Sequence, residues 1–188
     1  MSLEKARPLI TLRDRQPTVQ LDYQFITQAK RELRLDESVT EENSKYVTVL
    51  CALDTKTGLG LEVIVTKKGN CKIAETELVK FLLEIGRANC ILLGDNEPAL
   101  IHLMIRVVKK LGTGATYRTT PNYSPESKGN CERRHQTTLG QVKTLASDLQ
   151  ARYKLTTPLD IQLPLYRWLV KHCCFLVKRY LLHSYGKN

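Results

Sequence analysis

The chain has 188 residues, of which 42% are hydrophobic, enough for one globular domain with its own core. Its formal charge of +10 is unevenly placed: from Leu100 onward there are 15 Lys+Arg against 4 Asp+Glu, while residues 1–99 sum to −1. No secretory apolar segment and no 18-residue uncharged apolar stretch is present, which argues against secretion and a membrane span and for a nuclear or cytoplasmic protein. The six cysteines form no Cys-x-x-Cys pair and lie mostly in apolar runs, so they read as buried free thiols rather than disulfides or zinc ligands. His172-Cys173-Cys174 sits in an amphipathic helix without matching ligands elsewhere.

In chain order, residues 1–17 are of mixed charge with two prolines and read as a lead-in arm. Val19 to Ile26 is the first strand. Residues 27–45 are charged, lack a clear apolar face and read as an exposed insertion. Tyr46 to Ala52 is a second strand, Asp54-Thr-Lys-Thr-Gly58 a turn, and Leu59 to Thr66 a third strand, so the first three form an antiparallel meander. From Ala74 to Gly86 the spacing of Leu78, Leu82 and Ile85 predicts a helix that Gly86 ends.

Asn89 to Gly94 is a buried strand. Glu97 to Leu111 is an amphipathic helix with Leu100, Leu103, Met104, Val107, Val108 and Leu111 on one stripe. Ala115 to Thr120 is a fifth strand, and residues 121–130 are a Pro/Ser/Gly loop. A long helix from Cys131 to about Tyr153 carries the stripe Cys131, Thr138, Val142, Leu145 and Leu149. A last helix runs from about Pro164 to Leu182, with Pro164 suited to its first turn. The order predicts an α/β fold: a mixed five-stranded sheet flanked by helices.

Three acids stand in settings that invite function. Asp22 interrupts the run Thr18-Val-Gln-Leu-Asp-Tyr-Gln-Phe-Ile26 and needs a partner or a metal if buried. Asp95 closes Cys90-Ile-Leu-Leu-Gly-Asp95 and could equally cap the helix that follows. Glu132 sits in a first helical turn, where the macrodipole alone favours it. It lies roughly 100° from the core stripe, in line with Gln136, Leu139 and Lys143. Two strand ends and a helix start can gather oxygen ligands for hard divalent cations such as Mg²⁺. The basic second half points to a nucleic acid as partner.

These segments resemble the catalytic core of retroviral and retrotransposon integrases, the DDE polynucleotidyl transferases of ribonuclease H-like fold. Leu21-Asp22 is similar to the family's first-strand motif, and Gly94-Asp-Asn-Glu-Pro-Ala-Leu100 to its Asp-Asn-Gly motif. The strongest match is Pro121-Asn-Tyr-Ser-Pro-Glu-Ser-Lys-Gly-Asn-Cys-Glu-Arg-Arg-His-Gln136. It resembles the family's Pro-Tyr-x-Pro-x-Ser-x-Gly-x-x-Glu-x-x-(Asn/His) segment. The resemblance covers about residues 17–150, and Trp168 to Tyr180 also looks like retroelement integrase sequence.

There are departures. Asp95 and Glu132 have 36 residues between them, one more than the family's usual spacing. Glu97 replaces the glycine after Asp-Asn and brings a further carboxylate toward the pocket. Neither the family's N-terminal His-His-Cys-Cys zinc module nor its C-terminal DNA-binding module has a counterpart in this sequence.

The resemblance implies a ribonuclease H-like sheet of three antiparallel strands followed by two parallel ones. It implies an arm at 1–17, a catalytic core at 18–157 and a C-terminal helix at 158–188 that packs on or extends the core. Asp22, Asp95 and Glu132 would hold two Mg²⁺ or Mn²⁺ ions for trimming DNA 3′ ends and joining them to target DNA. Tyr123, Ser127 and Lys128 would position the DNA end, with Arg133, His135, Gln136 and Lys143 on phosphate or terminal bases. The chain would act as a homodimer or higher multimer. Two other readings fit less of the sequence: an inactive DNA-binding remnant of a retroelement, and a ribonuclease H-like nuclease.

Overall fold

The computed structural model describes residues 16–27, 46–112, 114–120, 129–157, 159–161 and 163–180. The arm and the insertion expected at 1–17 and 27–45 lie almost wholly outside the described residues. Five strands form one sheet: β1 (Thr18–Thr27), β2 (Tyr46–Asp54), β3 (Gly60–Val65), β4 (Ile91–Gly94) and β5 (Thr116–Thr119). Four helices flank it: α1 (Lys72–Glu84), α2 (Pro98–Leu111), α3 (Gly129–Arg152) and α4 (Pro164–Tyr180).

The sheet order is β3-β2-β1-β4-β5. β1–β2 and β2–β3 are antiparallel, whereas β4 runs parallel to both β1 and β5. This is the mixed sheet the element order predicts. The β2–β3 turn is drawn tight by Asp54, whose backbone carbonyl accepts from Gly58 and whose carboxylate accepts from the Thr57 hydroxyl.

Alternation along β1 sorts its side chains onto two faces, as the two-residue period of a strand requires. Val19, Leu21 and Tyr23 join the core with α1 and α2, where Leu78, Phe81, Leu82, Leu100, Leu103 and Met104 are buried. Gln20, Asp22, Gln24 and Ile26 point the other way, toward α3 and α4. There Ile26, Val47 and Val49 pack with Val142 and Ala146 of α3 and with Tyr166, Leu169, Val170 and Cys173 of α4. α4 thus contributes to the same core as the strands and is not a separate appendage.

The apolar stripe of α3 is broader than its leucines suggest. Cys131, Arg134, His135, Thr138, Leu139, Val142 and Ala146 are buried, while Leu145 and Leu149 are half-buried at the edge. Among the described residues no helix is long and apolar enough to cross a membrane.

Candidate active site

Asp22 lies in β1, opposite Cys51 of β2. β4 pairs with β1 as far as Gln20↔Leu93, and Asp22 and Asp95 each lie two residues beyond that last pair. The two carboxylates line one small pocket with Gln20, Leu93, Gly94 and Thr120. Thr120 is held there by β5, its N–H donating to the Gly94 carbonyl at 2.8 Å.

Gly94 is what lets Asp95 sit at this point. A Cβ on residue 94 would come within 2.6 Å of Leu100 Cδ2 and 3.3 Å of Met104 Cε, both on core side chains that are fully buried. Just beyond, Asp95 Oδ1 accepts the N–H of Glu97 at 3.2 Å, a short turn that delivers the chain into α2, with Pro98 in the first helical position. The helix cap that the sequence allows for Asp95 is not formed: the N-cap of α2 is Glu97, without a side-chain cap, and Asp95 makes its turn two residues ahead of it.

Glu97 does not add a fourth carboxylate to that pocket. Its Oε1 lies 2.8 Å from Lys68 Nζ and its Oε2 lies 3.0 Å from it. The same ammonium sits 4.7 Å from the centroid of the Phe25 ring and 5.5 Å from that of Tyr23. The departure from the glycine of the motif is thus taken up by a link between α2 and the loop after β3.

The third acid is carried by α3, whose start is fastened to the sheet beside Asp22. Cys131 Sγ donates to the Gln20 carbonyl at 3.4 Å, and Cys131 packs with Cys51 and Leu53. Glu132 follows on the same turn with an exposed side chain. Gln136, Lys143 and Arg133 are exposed as well, so the α3 flank expected to face nucleic acid is open to it. Arg133 bonds back to its own first turn, donating to the Gly129 carbonyl and to Asn130 Oδ1. Tyr123, Ser127 and Lys128 lie outside the described residues.

His135 is the correction. It is fully buried, and burial pulls its imidazole down to about 4, so it is neutral at physiological pH and faces the core rather than a phosphate. The reason is helical phase. Residue 135 stands one turn after Cys131 and less than a turn before Thr138, on the stripe that those two define.

The residues that sequence reasoning missed are charged ones in the interior. Glu62 on β3 is fully buried under α3, its Oε1 accepting from Thr138 Oγ1 at 2.7 Å and its Oε2 from Cys174 Sγ at 3.1 Å. Burial raises its carboxyl above the ordinary range in spite of those donors and of Arg134. Asp54 is buried and bound by Arg87 through Nε at 3.1 Å and Nη2 at 2.8 Å. Burial works to raise the Asp54 carboxyl, and the bonds from Arg87 and Thr57 outweigh it and hold it below its usual value. No local sequence signal marks either pair, since the partners are far apart in the chain.

The cysteines are all free and buried. Burial pushes Cys90 up to about 11 and Cys173 up to about 12, which makes them poor nucleophiles and poor metal ligands. His172 stacks on Trp168 with ring centroids 4.9 Å apart, so the His-Cys-Cys tract is spent on packing.

Asp22 and Asp95 fit a hard divalent cation in kind, both being acids that line the same small pocket. In number they are a pair: among the described residues no three of His, Cys, Asp and Glu stand close enough to hold one metal ion together.

No family model matches the chain, and no curated protein matches it in sequence. Its fold is nonetheless shared with solved structures. A chain of the simian T-cell lymphotropic virus intasome, solved in complex with PP2A regulatory subunit B56 gamma, superposes with a TM-score of 0.61 at 15% identity over 89% of this chain. This chain spans 50% of that longer one.

The HTLV-2 integrase catalytic core domain, in complex with magnesium, superposes with TM-scores of 0.53 in its trimeric form and 0.52 in its dimeric form. The identities are 12% and 13%, and the match covers 89% of this chain in both, with 88% and 89% of the core domain. The chain has the ribonuclease H-like fold of retroviral integrase catalytic cores.

Proposed function

We propose that this chain is an integrase-type polynucleotidyl transferase core, trimming and joining DNA 3′ ends at Asp22, Asp95 and Glu132. The observation that carries the reading is the pairing of Asp22 with Asp95 in one pocket by the parallel β1–β4 register, with Cys131 fastening the start of α3 beside them. The fold supports it, as does the Pro121–Gln136 segment that resembles the integrase motif. Residues 100–188, which include α3, hold the chain's excess of positive charge, suited to a polyanion.

Asp22 and Asp95 supply the negative charge of the pocket, and Glu132 closes it from α3. These three residues would hold the Mg²⁺ or Mn²⁺ ions, which would supply Lewis acidity toward a water or DNA 3′-hydroxyl nucleophile and the leaving oxygen. Arg133, Gln136 and Lys143 hold phosphates along the exposed flank of α3 and fix position rather than sequence. The active species is a dimer or larger assembly on DNA.

A Mn²⁺ titration followed by paramagnetic broadening in the NMR spectrum tests the site. Broadening is expected around residues 20–22, 94–95 and 131–132 in the parent chain and lost in Asp95→Asn. Broadening that survives this substitution unchanged would place the metal elsewhere and defeat the proposal.

One observation favours a second reading, a DNA-binding fold without chemistry: Glu132 is exposed and does not join Asp22 and Asp95 as a group of three. DNA binding that persists while Mn²⁺ leaves these signals sharp would support it.

A further inference from the structure

β3 closes one edge of the sheet, and its free side forms the floor of a groove of about 500 Å³. Gly60 to Ile64 line that floor. Ile73, Lys80 and Phe81 of α1 stand on one wall, and Arg167, Trp168, Lys171 and Phe175 of α4 on the other. We propose that this groove docks an extended peptide segment of another protein, one that alternates apolar and acidic residues and adds to β3 as a further strand. The groove shares no lining residue with the Asp22–Asp95 pocket, so the proposal stands whether or not that pocket is catalytic.

The backbone of β3 supplies the reason. The Asp54 N–H donates to the Leu59 carbonyl at 2.9 Å, which makes those two a hydrogen-bonded pair of the β2–β3 ladder. In an antiparallel ladder such pairs alternate with pairs whose backbone groups turn away from each other. The register Leu53↔Gly60, Cys51↔Glu62 and Val49↔Ile64 therefore points the N–H and C=O of Gly60, Glu62 and Ile64 away from β2 and into the groove. Among the described residues nothing bonds to these groups. An extended segment laid along them makes the main-chain bonds of an added strand.

The groove favours a single strand over a second copy of this chain. Lys178 Nζ of α4 reaches Glu84 Oε2 of α1 at 3.4 Å and lies 5.4 Å from the centroid of the Phe81 ring, so the two helices meet across one end of the groove. A second copy carries its own β3 edge between the same two walls, and helix would meet helix before strand met strand.

The walls set the side chains of the incoming strand, which alternate between the α1 and α4 sides. On the α1 wall Lys80 lies 3.3 Å from Glu77, and Glu84 is taken by Lys178, which leaves Ile73 and Phe81 to meet apolar side chains. On the α4 wall Arg167 and Lys171 stand one turn apart, exposed and without an acidic partner among the described residues. Acidic side chains on the α4 side of the added strand complement them. Trp168 and Phe175 are exposed beside them, and His172 stacks on both, with centroids 4.9 and 6.4 Å away. Aromatic anchors of this kind carry a large share of the energy of protein interfaces.

The test adds a short blocked peptide of alternating valine and glutamate to the isotope-labelled chain and follows NMR shifts and amide hydrogen exchange. Saturable binding is expected to slow exchange at Gly60, Glu62 and Ile64, with Leu61 and Val63 unchanged because their amides already bond to β2. The Arg167→Glu, Lys171→Glu double variant alters exposed positions only and keeps its melting temperature. It should bind the peptide at least about tenfold more weakly, as two lost charge contacts imply. It should also prefer a peptide with lysine in place of glutamate. Binding by the parent chain that ignores the peptide's charge, or shifts that leave Gly60, Glu62 and Ile64 untouched, would overturn the proposal. Protection of those three amides in the free chain that grows with protein concentration would give the edge to a second copy and overturn it as well.

Discussion

At the scale of single residues, two positions bear most directly on the pocket. Gly94 allows the end of β4 to lie against Leu100 and Met104 while presenting Asp95. Gly94→Ala is expected to cost about 1–3 kcal/mol through overpacking of a full core, read as a lower denaturant midpoint with an unchanged slope.

His135 supplies a pH signature. Its folded value of about 4 lies below the unfolded 6.5, so the unfolded chain takes up its proton first as the medium is acidified. Stability is therefore fully present above about pH 6.5 and falls on the way down to about pH 4, by about 3 kcal/mol at most. Replacing His135 by leucine should flatten that part of the stability profile. An unchanged profile in His135→Leu would refute the burial account.

At the scale of elements, the link between the loop after β3 and the start of α2 explains the one residue that departs from the integrase motif inside the pocket region. Glu97 is committed to Lys68, and both side chains are about one quarter exposed. Glu97→Gln should cost under about 1 kcal/mol and leave Mn²⁺ affinity unchanged. A changed affinity would mean that Glu97 belongs to the metal pocket after all.

Strands and helices were legible because their periods are: the alternation of β1 and the 3–4 spacing in α2 follow from burial of one face. The phase of α3 was only half legible. Its stripe includes Arg134 and His135, polar residues whose burial depends on Glu62, Gly60 and the helix position, none of which is near in sequence. The pairing of Asp22 with Asp95 was legible as an expectation from the strand ends. Their shared register was not, since parallel pairing across 73 residues leaves no local mark.

At the scale of the molecule, one core is built on each face of a single sheet, and α4 completes the second. Tyr166, Leu169, Val170 and Cys173 are all buried there against α3 and the strands. A chain ending at residue 157 is expected to lose its cooperative thermal transition in circular dichroism, because several large side chains leave the core at once. A truncated chain that melts like the full one would mean that the helix is an accessory.

The same organisation makes the two faces of the sheet differ, with the α1–α2 side packed by apolar residues and the α3 side carrying the acids and the basic flank. The central claim, that the Asp22–Asp95 pocket and Glu132 perform metal-dependent DNA joining, is tested most directly by a disintegration assay on branched DNA with Mg²⁺ or Mn²⁺. The account predicts a resealed product from the parent chain and at least about a thousandfold less from each of Asp22→Asn, Asp95→Asn and Glu132→Gln, about 4 kcal/mol of lost transition-state stabilisation. Equal product from parent and variants, or no product from a parent chain that binds the branched DNA and the metal, would contradict it.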